Sequence, residues 1–390
     1  MGTETDVDVY VIGSGPHGLA TTLELQSMAP YTKVAVADPS GQWLHTWHEQ
    51  MARAEISTLR SPIVHSPVAD PWALGNHCDA HKLPRSGLPY EIPTVSAFKH
   101  FCDHLIDDAE LPTPVAARVE RVEVTHDTAH ITTSTGTVTA AHVVVASNPQ
   151  RRNIPTWVLP LLGRAPGRID HAAKIDLRTI PDLSGEEVAV IGGGQSAAHL
   201  AAGAVARGAH VTFLTRRPIQ LRDFDTNPGW LGPKLLRAWG EEKDPTRRVQ
   251  SALTARGGGS MPSWMARKLV ALADDGHLTF QEDVQIDSAE FDSSSRLCLM
   301  LNNGAAVLAD RLWLATGGIP DITASRYLDE VIADLPVVDG FPIIDDSLRL
   351  PNRPIFVTGR LATSVLGPAA GNLWGAQRAA QRIANRIAGH

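Results

Sequence analysis

Short apolar runs that end in glycine-rich turns dominate the hydrophobic pattern of this chain. Residues 7–12 form an apolar run of the β type, and glycines stand directly after it at positions 13, 15 and 18. Apolar residues then recur at 19, 20, 23 and 28, which is a helical spacing. The pattern predicts a strand, a tight turn and a helix. Residues 33–37 predict a second strand, which ends on Asp38.

The first turn has the G-x-G-x-x-G pattern of a dinucleotide-binding site. Gly13 permits the tight turn, Gly15 lets the backbone approach a pyrophosphate, and Gly18 lets the helix pack closely on the strand. The unpaired amides at the helix N-terminus attract phosphate. Asp38 follows at about the spacing of an acid that binds a ribose hydroxyl. Because the glycines lie between a strand and a helix, we favour a dinucleotide site over a simple glycine-rich turn.

The same pattern returns in the second half of the chain. Residues 187–191 predict a strand, residues 192–197 form a G-x-G-x-x-A turn, and an alanine-rich helix follows. The next predicted strand, residues 209–214, ends at Arg216 and Arg217 and not at an acid. We therefore interpret the chain as an internal repeat of two dinucleotide-binding units.

Other segments predict the elements that connect these units. We expect a helix over residues 92–106, antiparallel strands over 115–124 and 129–138, and buried strands over 143–146, 312–314 and 355–357. A helix over 371–387 closes the chain. Residues 53–74 are rich in proline and predict a long excursion from the sheet. Residues 221–265 predict a second, irregular excursion. Long loops of this kind usually carry function.

The predicted fold class is α/β, with two Rossmann-like domains, the second inserted into the first. We assign residues 1–150 and 310–390 to a discontinuous FAD-binding domain, and residues 151–309 to an NAD(P)H-binding domain. A length of 390 residues suits two or three domains of ordinary size.

Composition narrows the classes of function. A net charge of −7 with no basic stripe argues against nucleic acid as a partner. We find no apolar run long enough for a membrane span, no secretory signal and no C-x-x-C pair, so we expect a cytoplasmic protein without a redox-active disulfide. The expected partners are a small-molecule substrate and O₂, and the chain can form a homo-oligomer. His65, His77 and His81 show no metal-ligand spacing with the cysteines, so no metal is assigned.

The charges at the strand ends suggest which nucleotide binds where. An acid accepts hydrogen bonds from a ribose diol, whereas arginines pair with a 2′-phosphate. Asp38 therefore suits the adenosine ribose of FAD, and Arg216 with Arg217 suit NADPH; a solvated strand end is the alternative for the arginines. The last helix opens near Asn372, so its N-terminus could stabilise a reduced flavin, although Asn372 could simply be an N-cap. Trp43 and Trp47 could cover the flavin ring or belong to the core.

The chain resembles the two-dinucleotide flavin monooxygenases, nearest their N-hydroxylating branch, the lysine and ornithine N-hydroxylases. The resemblance rests on the turns at 13–18 and 192–197, the A-T-G sequence at 315–317, and W-H-x-x-M at 47–51. Residues 56–61 are similar to the I-S-F-L-K-D stretch of that branch, which puts Arg60 where a lysine holds the substrate carboxylate. Arg60 could instead form a surface ion pair. The sequence departs from the pattern at 147–149, and Arg360 stands where disulfide-reductase relatives have an aspartate.

The resemblance implies a reaction in three steps. NADPH reduces the flavin, O₂ adds at flavin C4a to give a hydroperoxide, and the substrate takes the distal oxygen. We predict an FAD- and NADPH-dependent monooxygenase that hydroxylates a small molecule, with an amine nitrogen as one option. The alternatives are a disulfide-free NAD(P)H reductase for a quinone or protein acceptor, and a flavin-binding regulatory protein.

His48 is a candidate for contact with flavin or substrate, or a structural histidine. The predicted catalytic residues are Asn372, His48 and Arg60. The predicted cofactor-binding residues are Gly13, Gly15, Pro16, His17, Gly18, Asp38, Gln42, Trp43, His48, Gly192, Gly194, Gln195, Ser196, Arg216, Arg217, Thr316, Gly317, Gly359 and Asn372.

Overall fold

The computed structural model describes residues 6–87 and 90–389. The strands of these residues are, in chain order, β1 (Val7–Ile12), β2 (Val34–Asp38), β3 (Val115–Ala116), β4 (Val119–Thr125), β5 (Thr128–Thr133), β6 (Gly136–Val145), β7 (Gln150–Arg152), β8 (Ile169–His171), β9 (Glu187–Ile191), β10 (His210–Leu214), β11 (Leu278–Gln281), β12 (Ile286–Phe291), β13 (Leu297–Leu301), β14 (Ala306–Ala309), β15 (Arg311–Leu314), β16 (Gly318–Pro320), β17 (Val337–Val338), β18 (Phe341–Pro342) and β19 (Ile355–Val357).

The α-helices of the described residues are α1 (Pro16–Met28), α2 (His45–Arg53), α3 (Ala73–His81), α4 (Val95–Asp108), α5 (Gln195–Val205), α6 (Pro233–Glu241), α7 (Pro245–Arg256), α8 (Ser263–Asp274), α9 (Asp329–Ile332), α10 (Thr363–Leu366) and α11 (Leu373–Ala388). Short 3₁₀ turns connect several of them. None of the helices in this part of the chain combines the length and apolar composition that a bilayer crossing requires.

The first sheet has the order β3-β2-β1-β6, and its parallel core is completed by β19, which pairs with β6. The meander β4-β5-β6 adds two antiparallel strands. Side chains alternate along β1, so the strand contributes residues to both faces of the sheet. Val9 and Val11 lie in a buried cluster with Leu25 of α1 and Ile383 of α11. Tyr10 and its alternating neighbours face the other cluster, under the meander.

The second sheet is parallel throughout, in the order β11-β10-β9-β15-β8. Helix α5 packs its alanine face on it together with Phe213 and Met265. The two sheets confirm the predicted α/β class. They also confirm the repeat, because β1-α1-β2 and β9-α5-β10 have the same order and pairing.

The predicted return to the first unit at residue 310 is too early. Strand β15 (Arg311–Leu314) pairs with β9 and β8, so it belongs to the second sheet. The crossing back is made by β16, which pairs antiparallel with β7. The chain therefore leaves the first unit through β7 and re-enters it beside β7 through β16. A parallel strand carries no local mark of the sheet it joins, since its partners are distant in sequence.

The predicted irregular excursion at 221–265 is wrong in its interior, which contains α6 and α7. Both helices begin with a proline at their first position, Pro233 and Pro245. Proline suits that position because the missing N–H would have no intrahelical acceptor there. The predicted antiparallel strands are present with shifted bounds, since Val138 lies in β6 and not in β5.

Candidate functional site

The turn after β1 brings three backbone segments into close approach. Gly13 has φ +106°, and a Cβ there would lie 2.9 Å from the carbonyl oxygen of Ala146. A Cβ on Gly18 would lie 2.1 Å from the carbonyl oxygen of Gly13. Around Gly15, by contrast, no described atom lies within 4 Å of the Cβ position. The turn therefore packs tightly at two glycines and leaves space at the one predicted to face a pyrophosphate.

The start of α1 offers hydrogen-bond donors into that space. The first amide bonded within the helix is that of Leu19, which donates to the Gly15 carbonyl at 2.9 Å. The amides of His17 and Gly18 precede this bond and so have no intrahelical acceptor, while Pro16 has no N–H. Free amides and the helix dipole make this end of α1 fit a pyrophosphate.

Asp38 lies at the end of β2, beside the turn. Its Oδ1 accepts from the amide and hydroxyl of Ser40 at 2.9 and 2.6 Å, and its Oδ2 accepts from the Ser14 amide at 3.3 Å. The Ser14 hydroxyl donates to the backbone carbonyl of Gln42 at 2.7 Å. The side chain of Gln42 is exposed. Asp38 is thus held in place with carboxylate lone pairs left for a ribose diol, which fits the predicted FAD site.

His17 joins α1 to the two C-terminal segments of the first unit. Its Nδ1 lies 2.9 Å from the hydroxyl of Thr358, at the end of β19. Burial lowers the pKa of His17 to about 4, and a hydrogen bond with the Gly371 backbone offsets part of the shift. Gly359 has φ +69°, and its Cβ position lies 3.9 Å from the His17 ring. His17 is therefore neutral at pH 7 and contributes hydrogen bonding without charge.

Asn372 caps α11: its Oδ1 accepts from the Gly375 amide at 3.0 Å. The N-cap, which was the alternative to the predicted flavin contact, is therefore present. The side-chain NH₂ keeps its own donors, because the cap uses only the carbonyl oxygen. Asn372 follows Gly371 directly, so the N-terminus of α11 and the His17 contact lie at the same end of the first unit.

The turn after β9 repeats the close approach with different surroundings. Gly192 has φ +140°, and its Cβ would lie 2.4 Å from the carbonyl oxygen of Ala315. The Cβ position of Gly194 lies 3.4 Å from the Cα of Gly259. The amide of Gln195 donates to the Ser260 carbonyl at 3.1 Å. A glycine-rich loop from the second excursion thus lies over the start of α5 and takes one of its free donors.

Two donors remain at the start of α5. The first intrahelical bond runs from the Ala198 amide to the Gly194 carbonyl, so the amides of Ser196 and Ala197 precede it. Arg216 is exposed and Arg217 is half-buried. The Cβ position of Gly258 lies 2.3 Å from the Arg217 guanidinium, so this side chain lies on the same loop. Neither arginine forms an ion pair with a described residue, and both remain available to an anionic ligand.

Thr316 and Gly317 follow β15 at the crossing between the units. The Thr316 hydroxyl donates to the Asn153 carbonyl, and the Asn153 amide donates to the Gly317 carbonyl at 3.0 Å. His171 also contacts the Gly317 carbonyl, at 3.1 Å from Nε2. These residues hold the crossing strands together, beside the turn that carries Gly192.

Arg60 is the candidate that the structure places differently from the prediction. It reaches from the first excursion to the second, where its Nη1 donates to Asp225 at 2.7 Å and to the Ser260 carbonyl at 2.9 Å. Its Nη2 donates to the Arg222 carbonyl at 2.5 Å and to the Ser260 hydroxyl at 2.9 Å. Its Nε donates to the Asp223 carbonyl at 3.4 Å.

All five N–H donors of Arg60 therefore have protein acceptors, since a guanidinium carries five. The side chain is only 10% exposed. Burial lowers the pKa of Arg60, and Asp225 opposes that shift. Arg60 is thus no open surface ion pair and has no donor left for a substrate carboxylate. It joins the two excursions, and below we call its contacts with residues 222–225 and 260 the Arg60 clamp.

Trp43 and His48 lie on the side of α4. Trp43 donates from Nε1 to the Pro112 carbonyl at 3.2 Å and packs in the cluster that contains Phe98. Trp47 contacts Phe98 at 5.2 Å between ring centres, which supports a core role for it. Burial lowers the pKa of His48, as does Lys99. His48 Nε2 is buried without a hydrogen-bond partner among the described residues.

The sequence pattern marks Arg360 only as a departure from the disulfide-reductase relatives and does not predict its contacts. The Arg360 side chain crosses Gly371, whose Cβ would lie 2.4 Å from its Cγ, and donates to the Gly318 carbonyl at 3.1 Å. Burial and, to a smaller extent, the charge of Arg256 lower the pKa of Arg360 to about 10, and Asp225 opposes this shift. A buried cation thus connects the start of α11 with the crossing strand β16. A charged residue inside an apolar, glycine-rich segment was the available signal.

Two sheets with parallel cores, each with a glycine turn at the start of a helix, match the fold of flavoproteins with two dinucleotide-binding domains. A family comparison agrees: residues 10–244 match the pyridine nucleotide-disulphide oxidoreductase family Pyr_redox_3, and the chain belongs to this family. The chain is therefore a flavin- and pyridine-nucleotide-dependent oxidoreductase, with FAD and NAD(P)H as its cofactors. No protein with curated annotation matches it at a significant level.

Solved structures match the fold over almost the whole chain. The cadaverine monooxygenase DfoA from Erwinia amylovora, bound to FAD, is similar with a TM-score of 0.80 at 15% identity, over 99% of this chain and 95% of that one. Ornithine hydroxylase PvdA from Pseudomonas aeruginosa has a TM-score of 0.78 at 16% identity, covering 98% and 99%. Bacillithiol disulfide reductase from Staphylococcus aureus has a TM-score of 0.65 at 14% identity, covering 98% of each chain.

Proposed function

We propose that this chain is an FAD- and NADPH-dependent monooxygenase that hydroxylates a small molecule at an amine nitrogen. Bound FAD would supply hydride acceptance and oxygen activation, which is chemistry of the cofactor itself. The residues of this chain would bind the two nucleotides, orient the substrate and exclude water.

The Arg60 clamp is the observation that carries the proposal. It draws the excursion of the first unit onto the excursion of the second, with five donors satisfied and the guanidinium buried. A monooxygenase needs such a cover, because access of water to the activated oxygen releases it as peroxide before it reaches the substrate. A reductase that serves a large acceptor needs an open approach instead. The clamp therefore favours hydroxylation in an enclosed site.

The positions of the cysteines support the same choice. Cys78 and Cys102 are buried in an apolar cluster with Phe98, and burial raises the pKa of both thiols. Cys298 lies in β13, away from both turns. All three are free thiols. A thiol relay requires a reactive thiolate near the flavin, and these three sites do not fit that need.

The comparisons add support at the level of fold. Among the neighbours named above, the cadaverine monooxygenase and the ornithine hydroxylase have higher TM-scores than the disulfide reductase. An amine nitrogen is accordingly the atom that we propose as oxygen acceptor. Arg216 and Arg217 support NADPH over NADH, because neither has an ion-pair partner among the described residues and both lie at the strand end where a 2′-phosphate would bind.

Three residues receive roles in this proposal. Asn372 would donate from its side-chain NH₂ to the flavin edge while its oxygen caps α11. His48 would use its unpartnered Nε2 toward a ligand on the α4 side. Arg60 would act as a positioning residue, because its donors hold the two excursions and none is free for substrate.

The test is a substrate screen with the FAD-loaded protein. Diamines and basic amino acids are supplied with NADPH and oxygen, and three quantities are counted: NADPH consumed, peroxide released and hydroxylamine formed. We expect one amine to yield hydroxylamine in near-equal amount to NADPH. Peroxide equal to NADPH with every amine, together with rapid electron transfer to a quinone, would overturn the proposal in favour of a reductase.

The Arg60→Lys variant sharpens this test. Lysine keeps the charge but cannot serve five acceptors in a planar arrangement. We expect Arg60→Lys to oxidise NADPH at a similar rate but to release several-fold more peroxide per NADPH. Arg267→Lys is the matched control, because Arg267 is exposed on α8 and makes none of the contacts of the clamp. Unchanged coupling in Arg60→Lys would contradict the clamp as the cover of the site.

A further inference from the structure

Four histidines face one another on two helices away from both nucleotide turns. His77 and His81 stand four positions apart on α3, and His100 and His104 stand four positions apart on α4. Residues at this spacing share one face of a helix. The two pairs meet where α3 packs on α4. We call these residues the histidine cluster.

The contacts within the cluster are close. His77 Nε2 lies 2.8 Å from His100 Nδ1. The ring of His77 lies 4.4 Å from that of His81 and 5.0 Å from that of His104, between centres. The rings of His81 and His100 are 4.9 Å apart. His77 therefore contacts all three other histidines, and His81 also contacts His100.

The four imidazoles differ in exposure. His77 is buried, whereas His81, His100 and His104 are exposed. A neutral imidazole has a lone pair on one ring nitrogen, which is the form that binds a metal ion. The cluster thus presents one fixed ligand at its base and three adjustable ones at the surface.

We propose that His77, His81, His100 and His104 bind one divalent late transition-metal ion of the zinc class. Imidazole suits zinc, copper and nickel, and zinc accepts four nitrogen ligands in a tetrahedral arrangement. The proposal is independent of the flavin chemistry. It assigns a site to residues that the nucleotide sites do not use.

Binding requires small changes in ring orientation. In the described residues, no set of three or more such side chains already has a metal-binding arrangement. His77 and His100 instead share one proton at 2.8 Å. Two nitrogens that bind one tetrahedral ion at 2.0–2.1 Å lie about 3.4 Å apart. Replacement of the shared proton by the ion therefore opens this pair by about half an ångström, and the three exposed rings can turn without displacing core atoms.

The ion would fasten α3 to α4. Helix α4 carries Phe98, which contacts Trp47 on α2. Helices α3 and α4 both contribute residues to the same apolar cluster. A ligand that binds the folded state raises its stability by mass action. Metal binding should therefore raise the Tm of the whole chain.

The experiment uses tag-free, FAD-loaded full-length protein that has been treated with a chelator. Zn²⁺ is titrated by calorimetry, Tm is measured with and without it, and Co²⁺ absorbance reports the geometry. His100→Ala/His104→Ala is compared with His45→Ala/His277→Ala, which changes two exposed histidines elsewhere. We expect one Zn²⁺ per chain in the wild-type and control proteins. We expect a loss of more than about 100-fold in affinity in the cluster variant, because even the outer partners of metal ligands contribute 10–100-fold.

The outcomes separate cleanly. Equal Zn²⁺ affinity in the cluster and control variants would overturn the proposal, and so would no binding by the wild-type protein at micromolar Zn²⁺. FAD content and far-UV circular dichroism confirm that each variant is folded. A Tm increase and tetrahedral Co²⁺ absorbance in the wild-type and control proteins alone would support the site.

Discussion

In the first nucleotide turn the Ser14 amide donates to the carboxylate of Asp38, whereas in the second the Gln195 amide donates to the carbonyl of Ser260. Both turns use a glycine with positive φ against a neighbouring strand, Gly13 and Gly192. The first turn is thus held from within its own β1-α1-β2 unit. The second is held by a loop that the Arg60 clamp connects to the other unit.

This difference fits the proposal that the two sites hold different ligands for different times. Asp38 is fixed by two residues, which suits a resident cofactor. Arg216 and Arg217 have no ion-pair partners among the described residues, and the amides of Ser196 and Ala197 have no intrahelical acceptor beside the loop that carries Ser260. The second site suits a cofactor that enters and leaves in each cycle.

The largest effect should come from adding one methyl group to the first turn. A Cβ at position 18 would lie 2.1 Å from the Gly13 carbonyl oxygen, and both groups are backbone. We expect Gly18→Ala to lower the free energy of unfolding by about 3 kcal/mol or more, because overpacking of this kind forces the backbone to move. The measurement is urea unfolding of the FAD-free protein.

Gly15→Ala is the matched control for that change. Its Cβ would meet no described atom within 4 Å, and its backbone is extended. We expect the free energy of unfolding to stay within about 1 kcal/mol, while FAD affinity falls more than about tenfold, because the methyl group occupies the phosphate approach. If Gly15→Ala destabilised the FAD-free protein as much as Gly18→Ala, the assignment of space at Gly15 would be wrong.

The next effect concerns pH and the histidines on the two turn helices. Burial lowers the pKa of both His17 on α1 and His199 on α5 to about 4, from an ordinary 6.5. The unfolded chain takes up these protons as the pH falls below 6.5, whereas the folded chain does so only near 4. Stability is therefore complete above pH 6.5 and falls between pH 6.5 and 4, by up to about 3 kcal/mol per histidine.

His17→Asn and His199→Asn test this separately in the two units. Each variant should lose part of the pH dependence of the free energy of unfolding, measured by urea titrations at several pH values. His17 has partners in Thr358 and Gly371, whereas His199 Nε2 has none among the described residues. His17→Asn should therefore also lower stability at pH 7, and His199→Asn should do so less. A pH profile unchanged in both variants would contradict the buried neutral state.

The local units of this fold could be predicted from sequence, and the contacts between them could not. The turn glycines, Asp38 and the start of α1 lie within one short stretch, where spacing carries the information. The partners of Arg60, Asp225 and Ser260, lie 165 and 200 positions away. A contact over such a distance in sequence leaves no periodic pattern from which it could be predicted. Residues 221–265 were predicted to be irregular, although α6 and α7 each begin there with a proline, because the same residue occurs in loops and at first helical positions.

A smaller effect should distinguish the two strand ends by their ligands. We expect Arg216→Ala to raise the KM for NADPH about 10- to 100-fold and to leave the KM for NADH within about twofold, because a charge-assisted hydrogen bond is worth about 1.5–3 kcal/mol. Steady-state kinetics with both nucleotides give the result. Arg237→Ala, on an exposed part of α6, is the control. An equal effect on both nucleotides would remove Arg216 from the 2′-phosphate site.

The smallest effect concerns α11, which packs against α1 and completes the first unit. Asn372 accepts from the Gly375 amide at 3.0 Å, so Asn372→Ala should lower the free energy of unfolding by about 1 kcal/mol, the usual cost of losing an N-cap. Asn372→Asp keeps the cap oxygen but removes the NH₂ donor. Unfolding of the FAD-free variants therefore measures the cap alone. The absorption spectrum and reduction potential of bound flavin then measure the donor, because the loss of a hydrogen bond to the ring alters both. If Asn372→Asp matched the wild-type protein in both spectrum and potential, Asn372 would be a cap and nothing more, and the flavin edge would face the backbone amides of α11 instead.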